Sequence, residues 1–466
     1  MEFLYKKVHF VGIKGAGMTS LATILKAHNV EVTGSDTQEV FFTDILLHNA
    51  NIVVSTPFSE KNISDTVEAV VYSTAYKEET NSEIVLAKRK GIPLYSYPEF
   101  LGILTKQKKS IAVCGTHGKT TTSALLGHVL NYAEMHPSAL VGGEVLNWKS
   151  GALSGTGSYF VFESDEYQNK FSYYAPWSIL LTNVTWDHPD FFPDKNAYEK
   201  VFTDYIHKVP SDGWVIVNAD DPGALRVSES KSFQRITYGY GEHAQYRIYD
   251  TTTQNGFIQS FSVRTNEKNL GIFSLSLFGK HNIQNATAVI ALCDTLGIPM
   301  NAISRGLESF LGTTRRLEKK GVYHNTTYIY DDYAHHPEEI EASLLALKGV
   351  YPNKKLIVVF QPHTFSRTQT FLDLFVQSLN KADTIVLLDI YASAREHRGT
   401  ISSDDIAKKI TSAYPNKRAF NIHTIQNAVE YLYKEDLIDD SSVLVTMGAG
   451  DVWRVGEELL AKNQEK

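Results

Sequence analysis

The chain is poor in cysteine, has no long apolar run and carries no excess of basic residues. Its two cysteines, Cys114 and Cys293, exclude a disulfide framework and a cysteine-rich metal site, and we expect both to be small apolar core residues in a reducing compartment. No apolar run approaches the ~18 residues that span a bilayer, and the N-terminus lacks the layout of a signal peptide. A net charge of −7 argues against a dedicated nucleic-acid binder. We therefore expect a cytoplasmic protein without a nucleic-acid or membrane partner.

The most informative stretch that is present runs from Gly115 to Thr122, directly behind the apolar residues 110–114. It predicts a strand, a glycine turn and a helix start, in which backbone N–H groups converge on phosphate oxygens. Lys119 would reach the β- and γ-phosphates of a nucleotide, and the Thr120 hydroxyl would hold Mg²⁺. The spacing Gly-x-x-Gly-Lys-Thr is two residues shorter than that of the usual phosphate loop.

Short apolar strands alternate with helical patterns in three successive segments, as they do in parallel α/β units. At 466 residues the chain has room for about three domains of ~150 residues each. We place them at residues 1–107, 108–316 and 317–466. The predicted fold is α/β, with a Rossmann-like domain at each end and a central P-loop ATPase domain with an open, mostly parallel sheet. Residues 234–277 alternate β-branched and aromatic side chains and are predicted to form an antiparallel insertion.

A second glycine turn, Gly12 to Gly17, follows the first predicted strand and opens a helix. Asp36, after the next strand, stands where an acidic residue meets a ribose in dinucleotide-binding folds. The spacing Gly-x-x-Gly-x-Gly differs from that fingerprint and makes a nicotinamide cofactor a weak interpretation. The pyrophosphate of a nucleotide sugar fits equally well, and a tight turn without a ligand is the third alternative.

Acidic residues follow two strands of the central segment. Glu163, Asp165 and Glu166 stand at one strand end, and Asp187 with His188 follows the next. Mg²⁺ takes carboxylate oxygens together with substrate phosphates, so these residues predict a metal rim beside the phosphate loop. Taken singly, each cluster is also typical of a solvated loop with capping aspartates.

Asn282 and Asn285 lie three residues apart on one predicted helix face. They fit either helix capping or recognition of a purine edge, and the sequence leaves both open. In the third segment, Asp332 is followed by His335 and His336, a cluster that suits phosphate and ribose contacts better than zinc. After a later strand, Arg367 could grip a carboxylate with both arms of its guanidinium.

Taken in order, these motifs resemble the Mur ligase family, the ATP-dependent enzymes that assemble the peptide stem of peptidoglycan. Within that family the likeness is nearest to the members that add L-alanine to UDP-N-acetylmuramate, on four runs of residues: 332–337, 360–368, 389–396 and 447–451. Members that ligate a recycled tripeptide are the alternative, toward which Glu163–Tyr167 leans. A nicotinamide oxidoreductase or a regulatory P-loop ATPase would explain neither the complete α/β unit before the phosphate loop nor the three successive segments.

The resemblance implies a cytoplasmic ligase, monomer or homodimer, that uses ATP and Mg²⁺ in peptidoglycan synthesis and hence in cell wall biogenesis, cell shape and cell division. It implies that UDP is bound by Gly15, Ala16, Gly17, Met18, Asp36, Ser73, Thr74 and Ala75. It implies an ATP site made of Gly115, Thr116, His117, Gly118, Lys119, Thr120, Thr121, Asn282, Asn285, Arg316 and Asp332. It implies metal ligands Thr120, Glu163 and His188; amino-acid contacts Tyr333, His363 and Arg367; and catalytic residues Lys119, His188, Arg316 and His335.

The chain departs from the family's pattern in its first glycine turn, where Lys14 and Ala16 replace the usual Gly and Ile. The additional ammonium of Lys14 would touch either a diphosphate or only solvent, and the sequence leaves the two open.

Overall fold

The structure, a computed structural model, describes residues 4–230, 232–254, 258–392, 398–434 and 437–464. Three separate β-sheets follow one another along the chain, at residues 7–96, 109–275 and 318–447. The prediction of a three-part α/β fold with mostly parallel sheets is confirmed, while the domain limits at 107/108 and 316/317 stay a prediction. In the described part of the chain, no helix combines the length and the apolar character needed to cross a membrane.

The first sheet is wholly parallel, with strand order β3-β2-β1-β4-β5. Its strands are β1 (Lys7–Val11), β2 (Glu31–Ser35), β3 (Val53–Ser55), β4 (Ala69–Tyr72) and β5 (Leu94–Ser96). Its helices are α1 (Ala16–Ala27), α2 (Asp44–Asn49), α3 (Ser82–Lys90) and α4 (Tyr97–Thr105). The order reverses between β1 and β4, so the loops after these two strands flank the crevice where open α/β sheets bind ligands.

The second sheet has the order β15-β14-β13-β12-β11-β10-β6-β9-β7-β8. Its strands are β6 (Lys109–Cys114), β7 (Ser138–Val145), β8 (Ser150–Leu153), β9 (Tyr159–Glu163), β10 (Ser178–Leu181), β11 (Trp214–Asn218), β12 (Gln234–Gly239), β13 (Tyr246–Gln254), β14 (Ile258–Arg264) and β15 (Asn269–Leu275). Its helices are α5 (Lys119–Tyr132), α6 (Lys195–Ile206), α7 (Pro222–Val227), α8 (Lys280–Thr295) and α9 (Met300–Glu308). Helix α5 is buried along most of its length, so the phosphate loop before it rests on the core.

The antiparallel prediction for residues 234–277 is wrong for the first part of that stretch. Strand β12 pairs in parallel with β11 over five residues, and β13 joins the end of β12 in parallel. The chain returns through α7 to the starting end of the sheet before it enters β12, which forces the parallel direction. Among the described residues of this stretch, the antiparallel pairings are those of β14 with β13 and with β15.

The third sheet has the order β16-β17-β21-β18-β19-β20, and within it β16 alone runs antiparallel to its neighbour. Its strands are β16 (Glu318–Tyr323), β17 (Thr327–Asp332), β18 (Lys355–Phe360), β19 (Thr384–Leu388), β20 (Arg418–His423) and β21 (Ser442–Met447). Its helices are α10 (Pro337–Val350), α11 (Phe365–Thr370), α12 (Leu372–Leu379), α13 (Ser403–Ala413), α14 (Ile425–Lys434) and α15 (Trp453–Gln464). The carboxyl ends of β17 and β18 carry the predicted Asp332 and Arg367 motifs toward the second sheet.

Candidate active site

The phosphate loop connects β6 to α5 and is sterically locked by its glycines. Gly115 has φ +136° and Gly118 has φ +80°, a region that side chains other than glycine rarely adopt. A Cβ on Gly115 would collide with the hydroxyl of Thr182, which follows β10. The loop can therefore approach the next strand only because this residue has no side chain.

The motif Thr182-Asn183 holds the loop in shape from outside. The backbone N–H groups of Thr116 and His117 donate to Asn183, to its backbone carbonyl at 2.9 Å and its side-chain oxygen at 2.8 Å. The Thr182 hydroxyl donates to the His117 carbonyl at 2.6 Å. These contacts preorganise the turn before any ligand arrives.

Lys119, the first residue of α5, folds back over the loop. Its ammonium donates to the carbonyls of Gly115 and Thr116 at 2.6 and 2.9 Å and lies 3.2 Å from the Glu166 carboxylate. Burial alone would lower the pKa of Lys119, but the neighbouring carboxylates, Glu166 foremost, outweigh it and raise the pKa above its ordinary value. The ammonium is therefore charged and aligned along the loop.

The acidic residues form two groups around this lysine. Glu163 accepts from the Thr120 hydroxyl at 3.1 Å and from the backbone N–H of Gly142 at 2.9 Å. Possible ligand atoms of Asp165, Glu166 and His188 all lie within 4.8 Å of one another. The structure thus joins Thr120 to Glu163 in the first group and places His188 in the second, 3.9 Å from Glu166. Oxygen donors of this kind fit a hard cation such as Mg²⁺.

Helix α10 of the third segment presents two carboxylates to the phosphate loop. The His117 ring lies 3.1 Å from the Glu339 carboxylate, 3.5 Å from that of Glu338 and 4.7 Å, centroid to centroid, from the His336 ring. Burial lowers the pKa of His117, but the two carboxylates raise it to about 9 in total, so the imidazole is charged at neutral pH. The sequence did not predict Glu338 and Glu339. In the sequence alone, two acidic residues after Pro337 at a helix start are explained as favourable partners of the helix dipole.

Arg316 reaches the loop from the joint between the second and third segments. Its guanidinium donates to the Thr120 hydroxyl at 3.2 Å, lies 3.9 Å from Glu339 and stacks 5.1 Å above the Tyr333 ring. His335 lies two residues after Tyr333 in the chain, and burial lowers the pKa of the His335 imidazole to about 3. Its imidazole is therefore neutral, a donor and acceptor rather than a cation.

A cavity of about 300 Å³ lies between α8 and α10, against one side of the phosphate loop. Asn282 and Asn285 line it, with Asn282 donating to the Phe278 carbonyl at 2.9 Å. Asp332 lines it as well, and burial raises the pKa of this carboxyl to about 6 while the Ser343 hydroxyl donates to it at 2.5 Å. The lining also includes polar residues that the sequence did not predict, namely Asn218, Asp220, Asp221, His281, Gln284 and Ser343.

A larger cavity of about 880 Å³ opens on the other side of the loop, and all three segments contribute to it. From the first segment come Gly15 and Ala16 at the N-terminus of α1, with residues 39–42. From the second come Thr120 and the glycines at 142–143. From the third segment and the joint before it come Thr314, Arg315, Arg316, Tyr333, Tyr391, Ala449, Gly450, Asp451, Trp453 and Arg454. Thr120 therefore borders this cavity while its neighbours Gly118 and Thr121 border the smaller one.

Comparison with known proteins agrees with this arrangement along the whole chain. Residues 7–109 match the model described as Mur ligase family, catalytic domain; residues 113–293 match the Mur ligase middle domain; and residues 315–450 match the Mur ligase, glutamate ligase domain. The UDP-N-acetylmuramate--L-alanine ligase of Desulfitobacterium hafniense (strain Y51) is 40% identical over 97% of this chain and 99% of its own. The chain belongs to the Mur ligase family.

Other Mur ligases extend the likeness. The UDP-N-acetylmuramate--L-alanine ligase of Streptococcus equi subsp. zooepidemicus (strain H70) is 40% identical, over 98% of each chain. The crystal structure of UDP-N-acetylmuramate-alanine ligase from Thermotoga maritima superposes with a TM-score of 0.82 at 28% identity, over 98% of this chain and 99% of that one. A murein peptide ligase from Psychrobacter arcticus shares the fold at 24% identity, with a TM-score of 0.74 over 98% of each chain.

The residues that the family resemblance assigned to UDP fall into two sets. Gly15 and Ala16 line the larger cavity, and residues 73–75 form the turn after β4 at the same end of the sheet. Gly17 and Met18 are turned into the domain, because a Cβ on Gly17 would lie 2.7 Å from the Tyr97 hydroxyl and Met18 is buried.

Asp36, assigned to the same set, holds the first glycine turn together. Its carboxylate accepts from the backbone N–H groups of Lys14 and Thr37 at 2.7 and 2.8 Å and from the Tyr76 hydroxyl at 2.9 Å. It is also fully buried within the first segment. These contacts tie Asp36 to the turn, and its predicted contact with UDP stays a prediction.

Arg367 already grips a carboxylate, that of Asp187 in the second segment. The guanidinium donates from Nε to Oδ1 at 3.1 Å and from Nη2 to Oδ2 at 3.2 Å, while Nη1 lies 3.1 Å from Nδ1 of His363. Both partners are buried, Arg367 at 3% and Asp187 at 4% exposure. The sequence predicted a carboxylate partner for Arg367; in this structure the partner is Asp187, and the contact with an amino-acid carboxylate stays a prediction. Of the Asp389–Glu396 motif, residues 393–396 lie outside the described residues.

Proposed function

We propose that this Mur ligase joins L-alanine to the lactyl carboxylate of UDP-N-acetylmuramate, with ATP converted to ADP and phosphate. The observation that carries the proposal is the position of the phosphate loop between two cavities, so that a nucleotide on one side and a large anionic substrate on the other meet at Thr120. The relatives named above, at 40% identity over nearly the whole chain, support the choice of L-alanine. Residues 1–107, 108–316 and 317–466 then serve as the UDP-sugar, ATP and amino-acid domains.

The smaller cavity takes the adenosine of ATP. Asn282 and Asn285 supply the amide groups that read a purine edge, and Asp332 lies where it can accept from ribose hydroxyls. Residues 115–121 wrap the phosphates with backbone N–H groups at the N-terminus of α5.

Lys119, Arg316 and His335 act on the transferring phosphoryl group. Lys119 and Arg316 bring two fixed positive charges to the loop, and His335 offers a neutral imidazole to a phosphate oxygen. Thr120, Glu163 and His188 would hold Mg²⁺, which neutralises phosphate charge as it develops. Fixed charges in a site without water stabilise that transition state more than mobile solvent does.

The reaction needs an activated carboxyl group, because a free carboxylate is a poor acyl donor to an amine. Attack of the lactyl carboxylate on the γ-phosphate releases ADP and forms an acyl phosphate. The amine of L-alanine then attacks the acyl carbon, loses a proton and expels phosphate, which leaves an amide. The contacts of α10 with the phosphate loop close the site against the water that would hydrolyse the acyl phosphate.

The amino acid enters beside Tyr333, His363 and Arg367. Arg367 binds the carboxylate of L-alanine in exchange for that of Asp187, and His363 supports the guanidinium. The same proposal places the enzyme in the cytoplasm, as a monomer or homodimer, where its two buried, unpaired cysteines remain reduced.

One assay tests the proposal. The purified protein is incubated with ATP, Mg²⁺ and UDP-N-acetylmuramate, and ADP release is followed with and without L-alanine. We expect release that depends on both the sugar nucleotide and L-alanine, with the amide product found by mass spectrometry. Release that ignores L-alanine and responds to the tripeptide L-alanyl-γ-D-glutamyl-meso-diaminopimelate would contradict the choice of amino acid. Absence of any ATP turnover with either would contradict the proposed function itself.

A further inference from the structure

Lys14 places a buried positive charge in the wall of the larger cavity. Its side chain lines that cavity and the residue is only 6% exposed. The ammonium donates to the Glu39 carbonyl at 2.7 Å and lies 3.1 Å from the Asp44 carboxylate, with the Phe41 ring centroid at 5.7 Å. All three partners belong to the connection from β2 to α2 or to the first residue of α2.

The backbone of Lys14 is bound to the same region. Its N–H donates to Asp36 at 2.7 Å, and its carbonyl accepts from the Thr43 hydroxyl at 2.5 Å. Residues 36–43, all of them described, contain no helix or strand. Four of them, residues 39–42, nevertheless form one wall of the larger cavity beside the N-terminus of α1. A wall without regular structure depends on side-chain contacts for its position, and Lys14 supplies several of them.

We propose that Lys14 is a positioning residue for the sugar nucleotide: its ammonium fixes residues 39–44 as the wall of the cavity that faces the N-terminus of α1. The inference rests on the proposed function, which puts UDP-N-acetylmuramate in this cavity. The sequence left two alternatives open for this ammonium, a diphosphate or solvent alone, and the structure adds a third set of contacts, with residues of the wall itself. The carboxylate of Asp44 balances its charge, so Lys14 acts on the substrate through the segment that it holds.

The pair is suited to mutation because its two ends differ in exposure. Lys14 is buried, whereas the Asp44 side chain is 34% exposed and remains hydrated when its partner is removed. Lys14→Met keeps an unbranched apolar stem against Phe41 and removes only the charge and its hydrogen bonds. We therefore expect this variant to fold. Residues 39–44 should be held less firmly, but the Asp44 carboxylate should not be left buried without a partner.

The experiment compares steady-state kinetics of the wild type, Lys14→Met and a matched control, Lys7→Met. Lys7 is the first residue of β1, at the end of that strand away from the glycine turn, and its ammonium lies 2.7 Å from the Glu31 carboxylate. For Lys14→Met we expect the KM for UDP-N-acetylmuramate to rise about tenfold, with kcat and the KM values for ATP and L-alanine within about twofold. Calorimetric titration of UDP-N-acetylmuramate without ATP should show the same rise in Kd. Lys7→Met should match the wild type in every constant.

A double-mutant cycle with Asp44→Asn tests the route through the wall. Because both variants cut the same contact, the double variant should be no weaker in sugar-nucleotide binding than Lys14→Met alone. An unchanged KM in Lys14→Met, a fall in kcat alone, or equal rises in all three KM values would each overturn the inference. If the wild type itself neither binds nor turns over UDP-N-acetylmuramate, the proposed function fails, and this inference with it. If the wild type and Lys14→Met both turn over UDP-N-acetylmuramate with equal kinetic constants, the inference is overturned and the proposed function stands.

Discussion

The protein contains two glycine turns of the same local design, and they are fixed in different ways. The first joins β1 to α1 and the second joins β6 to α5. Each carries one lysine: Lys14 lies inside the first turn and reaches away from the helix to the 39–44 wall, whereas Lys119 begins its helix and folds back over the second turn. Under the two proposals made above, the same strand–turn–helix unit shapes a cavity in one case and places a charge on a reacting group in the other.

The steric locks of the two turns also differ in position. In the second turn Gly115, just after the strand, has φ +136° and no room for a Cβ. In the first turn the glycine just after the strand is Gly12, which has φ +81°. Gly15 has an ordinary φ of −60°, and a Cβ added to it would lie 3.7 Å from its nearest neighbours. A glycine in such a turn is therefore required by its own backbone angle and its neighbours, and not by its place in a motif.

Removing the second lysine should have the largest effect. In Lys119→Ala we expect kcat to fall about 10³-fold or more, because the transferring phosphoryl group loses a fixed positive charge. In Lys14→Met, by contrast, we expect the KM for UDP-N-acetylmuramate to rise while kcat stays nearly unchanged. The two lysines should therefore differ in the kinetic constant that they affect. Rapid-quench measurement of ADP formation checks it, with Lys200→Ala, an exposed lysine of α6, as control. Full activity in Lys119→Ala would remove the loop from the mechanism.

The next prediction concerns the glycines themselves. Gly115→Ala should lower the thermal midpoint by about 8 °C, because a strained φ and a collision with Thr182 together cost about 3 kcal/mol. Gly15→Ala should lower it by less than about 3 °C. Differential scanning calorimetry measures both. Equal shifts would mean that the two turns are locked at the same position after all.

His117 gives the second turn a pH dependence through a histidine, a residue type that the first turn does not contain. Its pKa is about 9 in the folded protein and about 6.5 when unfolded, so folding is stabilised fully below pH 6.5 and less as the pH rises toward 9. We expect the thermal midpoint of the wild type to fall about 3 °C more between pH 6.5 and 9 than that of His117→Asn. Parallel curves for the two proteins would show that Glu338 and Glu339 do not hold this proton.

The smallest effect should come from Asp36, the acid behind the first turn. Asp36→Asn keeps the side-chain shape but weakens three hydrogen bonds, so we expect the thermal midpoint to drop by about 2 °C. The KM for UDP-N-acetylmuramate should stay within about twofold, because only the contact with the Lys14 N–H joins Asp36 to the turn, while those with Thr37 and Tyr76 lie outside it. A tenfold rise in that KM would support the UDP-binding role that the resemblance implied for Asp36.

The sequence predicted the parts of this protein whose signal is local. The phosphate loop, the strands that carry it and the three-part α/β fold follow from apolar runs and glycine spacing, and the structure bears out the fold. Strand β7 was missed because it contains Gly142 and Gly143, which weaken the strand pattern. Strand β12 was given the wrong direction because a direction depends on the path of the connection, which composition does not encode.

The site contacts that the sequence missed all join distant parts of the chain. Arg367 and Asp187 are 180 residues apart, and His117 meets Glu338 and Glu339 only because the third sheet packs over the second. A carboxylate in the first turn of α10 has an ordinary local explanation in the helix dipole. Its function becomes visible only when the partner across the interface is known.

The larger cavity has walls from all three segments, and this has a consequence for heat denaturation. A molecule that fills it binds each separated domain more weakly than it binds the closed protein. Its binding energy is therefore lost as soon as any one domain unfolds or moves away from the other two. At a ligand concentration of 100 times Kd that linkage is worth about 2.7 kcal/mol. Calorimetric transitions that are separate in the free protein should therefore merge toward one cooperative transition when UDP-N-acetylmuramate is present: the substrate acts as a reversible crosslink of the three domains.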